Sequence, residues 1–356
     1  MISMQIILTC LITYYFFLPS LAIGQDVNEI LQKMQGANAL SRYQGMLTTV
    51  FINTPFTKVY RYKIVNCGNL LRKEELLTDG DNKEVNFDDG KYLWRFFPHK
   101  NLVIKERSRI IQEDNYRRIQ DELELVKQNY AIQVIGEYNI INRKGYKISF
   151  KPKKADRPQQ VRWIDDQTGI PFKIEKYGPN NTLVSVSSFS EINFHISTQA
   201  SNPFLMVPPN TSLTEIQEKG NLTIEQANDL MENQIILPQY IPTGFVLKDI
   251  VFRIHGPEKA LQLFYTDGLS SLSVFETHGE GQESKLFSPA NKIKIKEVEA
   301  LINASGTLNI LKIRSKPIGT TIVSEVFQPE LIKMGESLAP TEINTPFGTI
   351  KKPAQK

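Results

Sequence analysis

A long succession of short alternating strands, separated by hairpin turns, constrains the fold of this 356-residue chain more than any other feature. In QVRWIDDQTGIPFKIEKYG, from Gln160 to Gly178, apolar and polar residues alternate on both sides of a short polar loop that ends in Gly169. A period of two is typical of a strand with one buried face, and Asp, Thr and Gly suit a hairpin turn. We therefore expect antiparallel strands with broad apolar faces and no reactive group on them.

Residues 25–200 contain about ten such strand patterns and two helical ones. The helical spacing of Val27, Ile30 and Leu31 predicts a helix over 26–40, and Asp26 with Glu29 three residues on predicts its N-terminal cap. A second, polar helix is expected over 114–128. Strands are expected over 43–52, 58–65, 69–77, 83–87, 91–97, 132–141, 145–151, 160–165, 170–177 and 183–196. An antiparallel sheet of this size curls, and helices laid into its concave side would leave part of it as an apolar hollow.

The amino-acid composition of the chain changes after residue 200. Residues 201–222 are rich in Pro, Ser, Thr and Asn, and we interpret them as a linker. Thr223 and Gln226 then predict a helix cap, and Asp267-Gly268 predicts a hairpin. Further strands over 292–301, 307–313 and 320–327 and a helix over 329–338 complete a second domain, 223–338, before a tail over 339–356 that we expect to be disordered.

The expected fold class is therefore α+β. We predict an N-terminal antiparallel half-barrel over 25–200 that is closed by helices, followed by a smaller C-terminal α+β domain.

The first 24 residues suggest export. They contain no Lys, Arg, Asp or Glu, and their apolar core is short for a membrane span but suits a signal peptide, with Ala22 and Gly24 before the cut. Retention as a membrane anchor is the alternative. Removal of 1–24 leaves a net charge of +4 and one cysteine, Cys67, which cannot form an internal disulfide. An exported chain without disulfides is expected in the bacterial periplasm.

No motif for catalysis, metal binding or phosphate binding occurs in the sequence. The four histidines lack partners at metal-ligand spacing: His99, His195, His255 and His278. The paired carboxylates Asp88-Asp89 and Asp165-Asp166 lie in predicted turns, where Asp is favoured for its own backbone hydrogen bonds. We therefore expect no enzyme activity, no cofactor, no metal and no nucleic-acid partner.

Rows of aromatic residues are more informative about function than these polar residues. Tyr92, Trp94 and Phe96 share one face of a predicted strand, and such a row forms either plain core or the wall of a ligand cavity. The residues that we assign to a candidate cavity are Tyr60, Tyr62, Phe87, Tyr92, Trp94, Phe96, Tyr146, Ile148, Phe150, Trp163 and Phe172. The sequence leaves open which side of each strand faces the hollow.

Several stretches resemble the RseB/MucB family. Three short motifs match positions of that family's N-terminal domain: Arg162-Trp163-Ile164-Asp165, Thr168-Gly169-Ile170 and Phe189-Ser190-Glu191-Ile192. Three further stretches are similar to segments of that family's second domain: LPQYIPTGF, FYTDGLSSLSVFE and TTIVSEVFQPELIKMGESL.

The resemblance implies a periplasmic negative regulator of the sigma-E envelope-stress response. Its N-terminal domain would be similar to the LolA/LolB lipoprotein carriers. It would bind the periplasmic region of a transmembrane anti-sigma factor of the RseA/MucA type, protect it from proteolysis, and sense a lipid or lipopolysaccharide-like ligand. The residues that we assign to partner binding are Tyr265, Asp267, Gly268, Leu269, Ser273 and Phe275. Self-association into a homo-oligomer stays open, and the alternative function is a periplasmic lipid or lipoprotein carrier of the LolA type.

Overall fold

The computed structural model describes residues 26–52, 57–68, 72–77, 83–108, 116–196, 210–232, 235–256, 258–278, 291–305, 307–314 and 318–338. The predicted signal peptide, the predicted tail over 339–356 and the first part of the predicted linker lie outside the described residues.

The described residues form four α-helices and twenty strands. The helices are α1 Val27–Leu40, α2 Tyr116–Asn129, α3 Ile224–Met231 and α4 Gln328–Leu338. The strands before α3 are β1 Arg42–Ile52, β2 Thr57–Cys67, β3 Arg72–Leu77, β4 Glu84–Asp88, β5 Tyr92–Phe97, β6 Leu102–Arg107, β7 Tyr130–Ile140, β8 Arg143–Pro152, β9 Gln159–Asp165, β10 Pro171–Tyr177, β11 Leu183–Asn193, β12 Ser212–Glu215 and β13 Gln217–Lys219. The strands after α3 are β14 Val246–His255, β15 Glu258–Thr266, β16 Ser271–His278, β17 Asn291–Ile295, β18 Val298–Ser305, β19 Leu308–Ile313 and β20 Ile318–Ser324.

The first sheet has twelve strands in the order β12-β6-β5-β4-β3-β2-β1-β11-β10-β9-β8-β7. Its pairs are antiparallel except for β12, which runs parallel to β6. The sheet is open, with β12 and β7 as its two outer strands. An open sheet with helices agrees with the predicted α+β class, and the curvature of a half-barrel stays a prediction.

Helices α1 and α2 cover one face of this sheet. Ile30 and Leu31 of α1 and Val126 of α2 pack with Ile148 and Phe150 of β8 in one buried cluster. A neighbouring cluster joins α1 to β1, β2, β10 and β11 through Ala37, Tyr43, Ile64, Ile170, Phe172 and Phe189. The cap of α1 forms as predicted, because the Asp26 carboxylate accepts a hydrogen bond from Asn28 N at 2.9 Å.

The second sheet has eight antiparallel strands in the order β13-β14-β15-β16-β20-β19-β18-β17. One face carries α3 and α4 over a single apolar core that includes Met231, Leu263, Val274, Leu311 and Met334. The predicted capping box at α3 is present, since Thr223 and Gln226 bond each other's backbone N–H groups. None of the described helices has the length and apolarity to cross a membrane.

Three features of the fold differ from the sequence-based expectations. β6 was not predicted. β12 and β13 lie inside the predicted linker, because both strands are short and polar and show no clear alternation of apolar and polar residues. The single strand expected over 292–301 is the hairpin β17–β18. Lys296 has a positive φ of 52° there and turns the chain back on itself.

Candidate functional site

The register of the first sheet shows which side chains share a face. Directly paired residues point to the same side, and neighbours along a strand point to opposite sides. One row of side chains crosses β8, β9, β10, β11, β1 and β2 through Ile148, Arg162, Ile174, Ser187, Thr49 and Tyr60. Because Ile148 is buried under α1 and α2, this row lies on the helix-bearing face of the sheet.

The predicted cavity residues divide between the two faces. Those on the helix-bearing face are Tyr60, Tyr62, Tyr146, Ile148, Phe150 and Phe172. Tyr146, Ile148, Phe150 and Phe172 are fully buried and pack in the clusters beneath the helices. Tyr60 and Tyr62 are only partly buried, and the Tyr60 ring meets Phe51 edge to face with centroids 5.9 Å apart. Their contact with a ligand stays a prediction.

The remaining cavity residues point to the opposite face: Phe87, Tyr92, Trp94, Phe96 and Trp163. Trp163 lies between two cations, with Lys147 Nζ 4.7 Å and Lys173 Nζ 4.5 Å from its ring. Lys105 Nζ lies 4.0 Å from the Tyr92 ring. One apolar chain could not contact both sets at once, so the two faces are separate candidate surfaces.

The helix-bearing face carries a row of partly exposed side chains that begins against Met34 of α1. We call the side chains of Arg162, Ile174, Ser187, Thr49 and Tyr60 the Arg162 row, and all of them are partly exposed. The hydroxyls of Thr49 and Ser187 lie 2.9 Å apart and satisfy each other. The row therefore has one charged end, a polar middle and an aromatic end.

A second candidate site is a buried polar hub between the two sheets with their helices; we use first domain for α1 to β12 and second domain for β13 to α4, and the predicted domain bounds stay a prediction. Arg157 Nη1 donates to the Asp267 carboxylate at 2.5 Å, and Tyr130 Oη donates to the same oxygen at 2.6 Å. Arg157 also donates to Asp156 at 2.6 Å and to the Thr243 carbonyl at 2.6 Å. Asp267 is 0 % exposed, and its other carboxylate oxygen accepts from Leu269 N at 2.9 Å and Ser270 N at 2.6 Å, so donors of the protein replace water at both oxygens.

Two members of the hub, Tyr130 and Arg157, have shifted pKa values. Burial and the adjacent Asp267 carboxylate raise the pKa of Tyr130, which keeps its hydroxyl as a donor. Burial opposes the charge of Arg157, but the carboxylates of Asp156 and Asp267 outweigh it and raise the pKa of the guanidinium. Tyr130 and Arg157 therefore each keep one protonation state through the physiological range, and their bonds to Asp267 form a fixed contact between the domains.

The residues predicted to bind a partner fall into two groups. Tyr265 lies in the second core, whereas Asp267, Gly268 and Leu269 face the first domain. A Cβ on Gly268 would lie 2.7 Å from the Glu122 carbonyl of α2, so this hairpin is closely docked. Ser273 and Phe275 alternate with the core residues of β16 and project from the opposite face of the second sheet, partly exposed. A partner role for these residues stays a prediction.

The other polar residues considered in the sequence have local roles. Asp165 accepts from Thr168 N at 2.9 Å and from Arg143, and Asp89 accepts from Lys91 N at 2.8 Å, as turn residues do. No cluster of metal-binding side chains occurs within the described part of the chain. The sequence reasoning missed Tyr130, Arg157, Gln160 and Arg162, whose only sequence signal was a polar residue at an apolar strand position or in a basic loop.

The comparisons with known proteins agree on one family. A model of the MucB/RseB N-terminal domain matches residues 26–206. A crystal structure of MucB in complex with MucA(peri) is 15% identical with a TM-score of 0.56, and the match covers 89% of this chain and 100% of that one. The complex of Pseudomonas aeruginosa MucA/MucB is 16% identical with a TM-score of 0.55, covering 90% and 100%.

A crystal structure of MucB alone is also similar, with 14% identity, a TM-score of 0.53, and coverage of 88% of this chain and 98% of that one. No curated protein sequence matches the chain. At these identities the structural matches show a shared fold, and they extend over both sheets.

Proposed function

This chain belongs to the MucB/RseB family, and from that membership we propose that it is a periplasmic negative regulator of the sigma-E envelope-stress response. It binds the periplasmic region of a transmembrane anti-sigma factor and protects that region from proteolysis. The observation that carries the proposal is the similarity to MucB across both domains, because MucB itself is seen in complex with MucA.

The partner surface that the structure favours is the outer face of the second sheet. Ser273 and Phe275 are the predicted partner residues that neither fill the core nor contact the first domain. Phe264 and Val323 lie on the same face, since they pair with Ser273. A partly exposed aromatic among apolar and hydroxyl neighbours has the composition of an interface anchor.

Release of the partner follows from sensing of a lipid-like envelope component. Moving an acyl chain out of water stabilises the complex by about 0.8 kcal/mol per methylene, whereas moving it from a bilayer to an apolar groove gains little. Binding would therefore report lipid that is outside its membrane. If ligand and partner favour different arrangements of the domains, each weakens the other by the same factor.

The test uses the full chain as bait in detergent-solubilised envelope extract, followed by titration with the periplasmic segment of the recovered anti-sigma factor. We expect Phe275→Ser to weaken that binding at least tenfold, because it removes a large apolar contact. Val59→Ser on the first sheet, also an exposed apolar strand position, should bind like the wild type.

A carrier of the LolA type is the alternative, and it leaves the second domain without a role. Recovery of lipid or lipoprotein without any membrane partner would favour the carrier and overturn the regulator. Recovery of an anti-sigma factor with unchanged affinity in Phe275→Ser would keep the regulator and reject the outer face of the second sheet as its contact surface.

A further inference from the structure

Arg162 is a partly buried cation without a carboxylate partner among the described residues. Its Nε and Nη2 both donate to Gln160 Oε1, at 3.1 and 2.7 Å, and its Nη1 points to Met34 Sδ at 3.5 Å. A neutral amide and a thioether are weak acceptors for a guanidinium with five N–H groups. Burial lowers the pKa of Arg162 to about 10, and the opposing effects of Tyr130 and the Glu325 carboxylate do not cancel that shift.

The other arginines in comparable positions of the same domain are compensated. Arg157 contacts the carboxylates of both Asp156 and Asp267, and Arg143 donates to both oxygens of Asp165 at 2.9 Å. A buried cation without a carboxylate partner lowers the stability of the fold. Arg162 is such a cation, whereas Arg143 and Arg157 are paired. A guanidinium kept under such conditions favours the binding of an anion.

A second unsatisfied donor points to the same position. Gln160 is 1 % exposed, and its Nε2 has no hydrogen-bond partner within the described residues. Gln160 lies two residues from Arg162 on the same face, and the bond to Oε1 holds the amide beside the guanidinium. Lys176, paired across from Gln160, has its charge taken up by Glu325 of the second domain. Arg162 and Gln160 therefore hold the N–H groups that could donate hydrogen bonds to a ligand here.

Apolar side chains also border this donor pair. The Arg162 guanidinium lies 5.4 Å from the Phe150 ring and against Met34 of α1. From there the Arg162 row runs past Ile174 to Tyr60 and Phe51, over four strand spacings or about 19 Å. The Arg162 row is therefore a strip of partly exposed side chains with one cationic end and apolar residues along its length.

We propose that Arg162 and Gln160 bind the carboxylate or phosphate head of an anionic amphiphile whose apolar chain lies along the Arg162 row. The inference rests on the lipid sensing in the proposed function and adds to it the charge of the ligand and the position of its head. A bidentate guanidinium contact suits both carboxylate and phosphate oxygens.

The test compares a fluorescent long-chain fatty acid, the neutral alcohol of the same chain length, and inorganic phosphate alone. The full chain should bind the acid at least tenfold more tightly than the alcohol. Arg162→Met should remove that difference by weakening the acid alone, and Arg162→Lys should retain part of it. Arg61→Met, an exposed strand position on the opposite face of the same sheet, should behave as the wild type.

A readout that needs no ligand accompanies the titration. Arg162→Met should raise Tm in the absence of amphiphile, because it removes an uncompensated buried charge. A fall in Tm would show that the guanidinium is structurally satisfied, and it would overturn the proposal. Phosphate binding as tight as that of the acid would likewise overturn it, in favour of a small-anion site.

Binding to the anti-sigma segment separates this inference from the proposed function. Arg162→Met should still bind the segment without amphiphile, and the fatty acid should displace the segment from the wild type but not from the variant. Loss of segment binding in Arg162→Met would assign the anion to a partner carboxylate instead. Equal binding of acid and alcohol by the wild type would reject the head-group site and leave the regulator intact.

Discussion

Glu276 is a carboxyl group in the apolar core of the second domain. It is 0 % exposed, and its Oε1 accepts a hydrogen bond from Ile236 N at 3.0 Å. Its Oε2 has no hydrogen-bond partner within the described part of the chain. Burial raises the pKa of Glu276 to about 7, and the Ile236 N–H opposes that rise only in part. Glu276 is therefore neutral at acid pH and becomes a buried anion near neutrality.

The stability of the protein should fall as pH rises through this range. The pKa is raised on folding, so the contribution of Glu276 is fully present below about pH 4.5 and is lost as pH rises through 7. The full loss is about 3 kcal/mol. Glu276→Gln should leave stability at pH 5 almost unchanged and increase it at pH 8, as measured by denaturant unfolding at both values.

The exposed Glu297 in the same domain supplies the control, because Glu297→Gln should change stability little at either pH. An equal response to pH in wild type and Glu276→Gln would show that this carboxyl does not titrate in the folded state. The sequence contained a signal for this site, since Leu272, Val274 and Glu276 occupy alternate positions after the predicted Asp267-Gly268 hairpin.

At the scale of elements, the β9–β10 hairpin positions α1 on the first sheet. Gly169 has a φ of 73°, and a Cβ there would lie 2.4 Å from the carbonyl carbon and oxygen of Lys33 in α1. Lys33 Nζ in turn donates to the Asp166 carbonyl of the hairpin loop at 3.3 Å. The glycine is thus required twice, by the turn and by the close approach of the helix.

Gly169→Ala should lower the free energy of unfolding by about 2–4 kcal/mol, from the left-handed backbone and the collision with α1 together. Gly256→Ala provides a matched control. Gly256 has a φ of 58° but open space around its Cβ, so only the backbone cost of about 1 kcal/mol applies. Urea unfolding of both variants measures the difference, and equal losses would mean that α1 moves aside without cost.

At the scale of the whole molecule, the hub of Arg157 and Asp267 joins the two domains. Asn129 Nδ2 adds bonds to the Gly244 and Asp267 carbonyls, both at 3.0 Å, and Phe327 N donates to the Asp156 carbonyl at 2.8 Å. Leu269 inserts from the second domain into the apolar cluster under α1 and α2. Apolar and polar contacts therefore coincide at one place, as in a stable interface.

Asp267→Asn should weaken this coupling, because it leaves Arg157 with one carboxylate and removes the charge that Tyr130 bonds. We expect a loss of about 3 kcal/mol and, in calorimetry, two separate unfolding transitions where the wild type shows one. Glu122→Gln breaks the partly exposed pair with Lys248 across the same boundary and should cost less than about 1 kcal/mol. A single unchanged transition in Asp267→Asn would show that the hub does not couple the domains.

The sequence by itself determined the features that depend on neighbouring residues. The α1 cap at Asp26, the α3 capping box and the hairpin turns at Gly169 and Gly268 all form where the pattern predicts them. Alternation located most strands of both sheets for the same reason, since it reports which side chains of one strand share a face. Short polar strands such as β12 contain too few residues for this signal.

The tertiary structure alone decided which strands pair and which charges meet. Alternation cannot relate the faces of two strands before their register is known, so the predicted cavity residues were assigned to one hollow although they divide between two faces. Asp267 was assigned to partner binding on the family resemblance, and that role stays a prediction, whereas its ion pair with Arg157, 110 positions earlier in the chain, is visible only in the tertiary structure. Burial and ion pairing join residues remote in sequence, and their energies are set only when folding brings those residues together.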